Sequence, residues 1–356
     1  MILKIYDFKT LVPLAACSKI KDMRWERYLY SLGKFEFSVP YDDDCVSALK
    51  VGNIVKFDGK DGIILYRSLK GYELKIQGCD LKFFCNSRVV VPPFVYKTKP
   101  QPIDSYDRIK GNAETVIKHY VDSQCVNPSD SKRKIPNLVC AASQNRGERI
   151  CWQAKFTKLD EELEKLCKIS KFGYDITFDE KNAKFTFDIF AGTDRTVSQT
   201  ENAPVVFCRE YKTISESEYT EDWLSASNLV YVGANGDDEE QYIHAEPSEE
   251  LEKHFMRLES YTNISSDDVE EVEDGGIAYL EENKPTETVS GTANQRYKYK
   301  TDWNLGDMII SKITAFGDIV SVDEQIIGVR EEYSHCNTLI TPIFSTNNIL
   351  RKMLKG

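Results

Sequence analysis

The sequence lacks the motifs on which most enzyme classes depend. It contains no nucleophile elbow, no H-E-x-x-H pair and no glycine-rich loop of the kind that cradles phosphate. No two cysteines form a C-x-x-C pair, and the four histidines never recur at metal-ligand spacing. We therefore assign no catalytic, cofactor-binding or metal-ligating residue and expect a protein that is not an enzyme and uses no cofactor.

Long apolar segments are also missing. No stretch supplies the ~18–20 consecutive apolar residues of a membrane span, so we expect no membrane insertion. Residues 14–17 resemble a lipoprotein cleavage box, but Lys4, Asp7 and Lys9 interrupt the apolar run that a signal peptide requires. We therefore expect synthesis in a cytoplasm, where most of the ten scattered cysteines would be reduced packing residues.

Basic charge is scarce in one part of the chain. The 356 residues carry a formal net charge of −11, and residues 236–287 alone contain 18 acidic and 3 basic residues. The rest of the chain is nearly balanced, which does not match the basic footprint of a tight nucleic-acid binder. We predict that 236–287 is an exposed and partly mobile acidic lobe, because residues 265–276 are mostly charge and glycine.

The acidic residues permit two further interpretations. Residues 42–44 and 270–271 are neighbouring carboxylates, and glycosidases use a pair of carboxylates as catalytic acids. Adjacent surface acids, however, usually solvate a loop or cap a helix. Six acids within 267–274 offer the hard oxygen ligands that calcium prefers, without the spacing of an EF-hand loop. We favour a solvated acidic face, and whether the lobe binds a partner, calcium or nothing stays open.

The first 90 residues predict a meander of strands. Residues 35–39 alternate apolar and polar side chains, which is typical of a half-buried strand. Two apolar runs, 54–57 and 63–66, flank a glycine-containing hairpin turn, and Gly71 precedes a third strand at 72–77. Such a meander suits a small barrel or sandwich.

Two helices are predicted in the next part of the chain. Asn112 is the expected N-cap of the first, and Asn127-Pro128 is its stop. Thr157 and Asp160 resemble a capping box for the second, with Gly173 just beyond its end. Alternating strands at 174–178 and 185–189 complete a compact α+β unit.

A second β region is predicted from Pro204 onward. Its expected strands are 205–207, 228–232, 308–313, 319–322 and 326–329. Residues 49–55 (LKVGNIV) and 303–309 (WNLGDMI) resemble each other, each with a glycine turn before a strand. A chance match of common turn chemistry and a duplicated barrel both explain this similarity, and the sequence leaves the choice open.

These patterns predict a β-rich α+β protein, with two small β-barrel-like domains flanking an α+β insert, plus a small acidic lobe. The predicted parts are an N-terminal β-barrel-like domain (1–91), a Pro-rich linker (92–103), an α+β domain (104–200), a second β-barrel-like domain (201–235 and 288–345), the acidic inserted lobe (236–287) and a C-terminal helix (346–356).

An ordered series of segments resembles the siphophage tail-tip or baseplate hub proteins. Residues 31–40 (SLGKFEFSVP), 49–55 and 76–81 (IQGCDL) are similar to the opening barrel of that family. The similarity continues in residues 111–116, 127–130, 159–166, 192–199, 202–207 and 299–307. It covers most of the chain and is weakest in the acidic lobe. The family is related to the structural N-terminal part of tail-associated lysins and to the myophage baseplate hub.

The resemblance implies a structural role at the virion tail tip. Members of the family form a homotrimer that caps the tail tube and organises the distal tail protein, the tape measure protein and receptor-binding components. DNA is expected to pass through the centre without specific binding, and assembly is expected in the host bacterial cytoplasm. If the two similar segments belong to related barrels, three chains would supply six modules, which would match a sixfold tube.

Other functions remain as alternatives. A carbohydrate-binding host-recognition module is suggested by the 19 tyrosines and by Trp25, Trp152, Trp223 and Trp303. The family resemblance would equally fit the hub of a tail-like bacteriocin. A hydrolase rests only on the acidic pairs. The peptidoglycan-cleaving domain that some family members carry is not expected here, because only 348–356 follow the last predicted strand.

Overall fold

Alternation of apolar and polar residues makes strands the main element of this fold. The computed structural model describes residues 2–92, 106–234, 243–248, 251, 256–334 and 337–344. These residues form several sheets and a few helices, which confirms the predicted β-rich α+β class. No helix in the described ranges combines the length and apolarity needed to cross a membrane.

The strands are β1 (Leu3–Tyr6), β2 (Pro13–Cys17), β3 (Lys21–Tyr28), β4 (Lys34–Pro40), β5 (Ile54–Phe57), β6 (Lys60–Lys70), β7 (Glu73–Asp80), β8 (Asp107–Asn112), β9 (Leu138–Cys140), β10 (Arg149–Ala154), β11 (Phe172–Asp179), β12 (Lys184–Ala191), β13 (Val206–Cys208), β14 (Ile214–Asp222), β15 (Leu229–Gly233), β16 (Ile243–Pro247), β17 (Glu259–Asn263), β18 (Thr286–Ala293), β19 (Met308–Ala315), β20 (Asp318–Ser334) and β21 (Asn337–Phe344). The α-helices are α1 (Phe83–Asn86), α2 (Ala113–Val121), α3 (Leu159–Ser170) and α4 (Val269–Asn283).

The largest sheet contains eleven strands and joins both predicted β regions. Its order is β13-β19-β20-β3-β4-β7-β6-β5-β1-β2, with β21 also paired to β20. This order does not return to its first strand, so within the described residues the two barrel-like regions are parts of one open sheet and not closed barrels. The smaller sheets are β8-β10, β11-β12-β9, β14-β18 and β16-β15-β17.

The hairpins of the first β region follow the prediction closely. Strand β4 has the alternating burial expected from its sequence. The turn between β5 and β6 is shorter than predicted, because only Asp58 and Gly59 connect the paired residues Phe57 and Lys60. Both turn residues have positive φ, 47° and 73°, which aspartate and glycine tolerate better than other residues do. Residues 319–322 and 326–329, predicted as two strands, are one continuous strand, β20.

The two longer helices of the central region are stabilised differently: α2 has a polar N-cap, and α3 depends on a packed apolar face. Asn112 accepts a hydrogen bond from the Thr115 N–H, which confirms it as the N-cap of α2. The predicted capping box of α3 is wrong, because Lys158 occupies the N-cap position and makes no side-chain cap bond. The buried stripe of leucines, and not a cap, holds this helix in place. Gly173 lies just beyond the end of this helix, as predicted, but it belongs to β11, and Lys171 closes the helix at φ 57°.

Most described residues of the predicted acidic lobe (236–287) are exposed or half-buried, but this segment also contains a small packed sheet and a helix. Strand β15, predicted within the second β region, pairs with β16 and β17 instead. Helix α4 covers this small sheet and buries Val272 and Leu280 against Val230 and Val232. The glycine that suggested mobility, Gly276, allows close packing, because a Cβ there would lie 3.0 Å from Val232 Cγ2. The domain boundaries themselves stay a prediction.

Two predicted features lie wholly or mostly outside the described residues. These are the Pro-rich linker, of which 93–103 are not described, and the C-terminal helix (346–356). Among the described cysteines, Cys17 and Cys45 form a disulfide, so the expectation of reduced thiols is wrong for this pair. The other seven described cysteines are free, and most of them are buried.

The core of the first β region depends on glycine beside an aromatic ring. Phe35 is buried and stacks on Trp25 with ring centroids 4.6 Å apart. A Cβ at Gly62 would lie 2.6 Å from the Phe35 ring, and one at Gly78 would lie 2.4 Å from it. A Cβ at Gly78 would also lie 2.1 Å from the Ile63 carbonyl oxygen, which belongs to the backbone and cannot swing away.

We predict that Gly78→Ala destabilises the protein by about 2–3 kcal/mol or more, because it overpacks this core. The measurement is equilibrium urea unfolding. Gly59→Asn is the matched control, since Gly59 has open space around it and asparagine tolerates its positive φ, and its effect should stay within about 0.5 kcal/mol. Equal stability of the two variants would contradict the packing described here.

Candidate functional site: two matching β modules

Two groups of strands in the chain resemble each other in arrangement. Module 1 comprises β3 to β7, and module 2 comprises β14 and β18 to β21. In each module an antiparallel strand pair (β3-β4 or β14-β18) accompanies a three-stranded meander (β5-β6-β7 or β19-β20-β21). In module 1 the pair joins the meander through β4 and β7, whereas among the described residues β14 and β18 form a separate two-stranded sheet. The α+β region separates the two modules in sequence, and β15, β16, β17 and α4 interrupt module 2 between β14 and β18.

The two glycine turns that resemble each other in sequence make the same backbone hydrogen bonds. Gly52 has φ 93° and Gly306 has φ 94°, a conformation that favours glycine. The Gly52 N–H donates to the Ile64 carbonyl at 2.8 Å, and the Gly306 N–H donates to the Ile326 carbonyl at 2.8 Å. The return bonds also correspond: Ile64 N–H to Asn53 O at 3.0 Å, and Ile326 N–H to Asp307 O at 2.9 Å.

The irregular points of the ladders correspond as well. The pairing of β6 with β7 shifts between Ile64 and Tyr66, and the pairing of β20 with β21 shifts between Ile326 and Gly328. The pairing of β3 with β4 shifts between Lys21 and Arg24, and that of β14 with β18 shifts between Ser215 and Glu218. These two shared register shifts, together with the shared glycine turn, favour duplication over chance, because bulges are local departures from regular pairing.

The modules differ where side chains fill the core. The glycine at position 62 of module 1 corresponds to Glu324 in module 2, and Phe35 corresponds to Val289. Glu324 fills the extra space and accepts a hydrogen bond from the Val289 N–H at 2.8 Å. Burial raises the pKa of Glu324 to about 7.

Strand β20 joins the two modules into one sheet. Its C-terminal half pairs with β21 along one edge and with β3 of module 1 along the other. Arg330 Nε bonds Glu26 Oε1 across this junction at 2.9 Å, and Arg24 Nε lies 3.8 Å from Glu332 Oε1. The junction is therefore a continuous ladder with opposite charges facing each other across it.

A buried ion pair closes the junction from inside. Lys60 Nζ lies 2.6 Å from Glu331 Oε2, and each side chain is only 1% exposed. Lys60 also donates to the Tyr333 hydroxyl at 2.7 Å, and Tyr333 donates to Glu331. Burial lowers the pKa of Lys60, while Glu331 opposes that shift. Burial, followed by the hydrogen bond to Glu331, raises the pKa of Tyr333.

A cleft of about 660 Å³ lies between the α+β region and module 2, and it is lined mainly by polar residues of β11, β12 and the loop before β19. Several of its charged side chains are paired with each other: Arg27 bonds Asp175 at 2.8 Å, and Arg195 bonds Asp307 at 2.7 Å. These pairs serve to tie the α+β region to the modules.

The structure does not assemble a sugar site from the tryptophans. Trp25, Trp152 and Trp303 are buried in three separate cores, and Trp223 bonds Glu221 through its indole N–H. The argument for carbohydrate binding that rested on these residues therefore loses its support.

The acidic candidates have structural partners. Asp43 accepts a bond from the Cys45 N–H, and Asp268 is the N-cap of α4. Glu271 bonds Ser266 and is buried. Another group of possible ligands, Cys151 with Asp268 and Glu270, is already occupied by Lys110, which contacts both carboxylates. These contacts do not favour calcium over the basic side chain already present.

We predict that Glu331→Leu destabilises the folded protein by about 3–5 kcal/mol, because it removes the buried counter-charge of Lys60 and leaves only the exposed Asp58 at 3.4 Å. The double variant Lys60→Met/Glu331→Leu should recover most of that loss, since it removes both buried charges together. Chemical unfolding of the parent protein, Lys60→Met, Glu331→Leu and the double variant measures the coupling. Additive effects of the two single changes would contradict a direct interaction.

The raised pKa of Glu324 predicts a pH dependence. The folded state holds the neutral carboxyl, so its stabilising effect is complete below the unfolded pKa near 4.5 and is lost as pH rises through about 7. Glu324→Gln should therefore have a free energy of unfolding about 1–3 kcal/mol higher than that of the parent protein at pH 8. At pH 4.5 the two proteins should show no such difference. A gain of equal size at both pH values would disprove this assignment.

Comparison with known proteins identifies the family. The family model described as Siphovirus ReqiPepy6 Gp37-like protein matches residues 3–344. No curated protein matches the sequence. The fold is similar to the prophage tail protein gp18 from Listeria monocytogenes EGD-e, with a TM-score of 0.59 and 15% identity over 100% of both chains.

Two further solved structures share the fold. The 43 kDa tail protein of prophage MuSo2 from Shewanella oneidensis has a TM-score of 0.53 and 11% identity, over 97% of this chain and 98% of that one. The tail protein from Neisseria meningitidis MC58 has a TM-score of 0.51 and 14% identity, over 98% and 97%. The chain therefore belongs to the Siphovirus ReqiPepy6 Gp37-like family, which confirms the resemblance to phage tail proteins seen in the sequence.

Proposed function

We propose that this protein is the hub of a tail tip, formed by three copies around a common axis that cap the tail tube. The observation that carries the proposal is the repeated module: the glycine turn, the bulges and the three-stranded meander occur twice in one chain. Three chains then supply six similar modules. A threefold assembly can in this way present a nearly sixfold face to a sixfold tube.

The junction between the modules supports a ring. Modules 1 and 2 are joined side by side through a continuous ladder and not back to back. Side-by-side contacts of similar units, repeated with a constant rotation, close into a ring. We further propose that each β module, the α+β region and the acidic lobe act as separate domains, with the boundaries predicted from the sequence.

The partners that we propose are the distal tail protein, the tape measure protein and the tail tube. Outside residues 236–287 the chain carries 43 basic and 39 acidic residues, a nearly neutral balance that suits a passage through which DNA moves without being held. In this proposal the protein is a scaffold without catalytic activity, synthesised in the host cytoplasm and located at the tip of the virion tail. A tail-like bacteriocin would use the same hub.

We predict that the purified protein forms trimers. Sedimentation equilibrium should give three times the mass of the 40.8 kDa chain, and a pull-down should retain the distal tail protein of the same phage. Images of the assembly along its axis should show six similar densities around an opening. A protein that stays monomeric at high concentration and does not retain the distal tail protein would refute the proposed hub.

A further inference from the structure

Each module has one strand edge that no described strand pairs with, although the corresponding strand edge of the other module is paired. In β6, strand β7 occupies one edge along residues 62–70, and no described strand pairs with the other edge at residues 66–70. The corresponding edge of β20 pairs with β3. In β14, strand β18 occupies one edge, and no described strand pairs with the other. The corresponding edge of β3 pairs with β20.

We infer that the open edge of β6 in one copy pairs antiparallel with the open edge of β14 in the next copy. This inference rests on the proposed trimer. The junction inside the chain supplies the geometry, because β6 corresponds to β20 and β14 corresponds to β3. Pairing of exposed strand edges satisfies backbone groups that otherwise bond only to water. Three such junctions between copies would alternate with three junctions inside the chains.

The internal junction also fixes the register of the new one. Gly328 pairs with Tyr28, and the matching bulges equate Gly328 with Tyr66 and Tyr28 with Asp222. The resulting pairs are Tyr66 with Asp222, Arg67 with Glu221, Ser68 with Thr220, Leu69 with Tyr219, and Lys70 with Glu218 of the next copy.

The side chains in this register are complementary. Two pairs, Arg67 with Glu221 and Lys70 with Glu218, place opposite charges directly across from each other, and all four residues are exposed in the single chain. The internal junction has the same character, with Arg24 near Glu332. A register shift of one residue would turn the charged side chains to opposite faces, so this match does not follow from composition alone.

An exposed aromatic residue supports the same contact. Phe316 is 91% exposed at the tip of the β19-β20 hairpin, at φ 54°, a conformation unfavourable for a bulky side chain. Its ring centroid lies 6.0 Å from that of Tyr219. Pairing would bring the half-exposed Leu69 of the neighbouring copy opposite Tyr219 and would extend this apolar surface. The corresponding place in the internal junction holds the Lys60 ion pair.

Cysteine cross-linking of the full chain tests the register. Ser68→Cys and Thr220→Cys in one chain should give covalent trimers under mild oxidation, because directly opposed strand residues bring Cβ atoms to about 4.5–5.5 Å. Neither single variant should cross-link alone, but a mixture of the two should, since each junction uses one residue from each copy. The matched control pairs Ser68→Cys with Leu224→Cys, an 88% exposed position outside β14.

Charge reversal provides the second measurement. Lys70→Glu should weaken trimer association at least about threefold, and Lys70→Glu/Glu218→Lys should restore it. A parent protein that forms trimers while the Ser68/Thr220 pair fails to cross-link would overturn the strand pairing and leave the hub proposal standing. Cross-linking equal to that of the Leu224 control would overturn it as well. A parent protein that is monomeric at every concentration would overturn both proposals.

Discussion

The fold depends on one long strand that belongs to two modules at once. Strand β20 spans seventeen residues, and it changes partners along its length from β19 to β21 and β3. Because β3 lies in module 1, this change of partner joins the two modules into one sheet. The buried Lys60–Glu331 pair then fixes the junction from the core side, since neither charge can be left without the other in a dry interior.

The two modules keep their backbone pattern while exchanging the volumes of their side chains. In module 1, the large ring of Phe35 lies between Gly62 and Gly78. The corresponding positions in module 2 hold Val289, Glu324 and Phe344. Module 2 thus has a smaller residue in place of the phenylalanine and larger residues in place of the two glycines. The three side chains together fill a similar space in both modules, as close packing requires. In such a repeat the backbone hydrogen bonds at turns and bulges can vary less than the core side chains can, because cores tolerate exchanges that conserve volume.

Sequence patterns identified local structure well where one physical signal dominates. The alternation in β4 and the glycine turns at Gly52 and Gly306 were sufficient, because side-chain periodicity and positive φ are properties of short segments. The capping box at Thr157 was misjudged, because helix α3 needs no cap when its leucine face is buried. The close contact of Gly276 with Val232 was not predicted either, because it joins two distant parts of the chain.

The sequence alone determined the β-rich class, the hairpins and the likeness between two glycine turns, since each depends on neighbouring residues. Only the tertiary structure showed that the two turns make the same backbone hydrogen bonds, that Lys60 meets Glu331, and that Cys17 meets Cys45. It also decided which strand edges stay open. These outcomes depend on pairing between residues that are far apart in the chain, which local patterns do not encode.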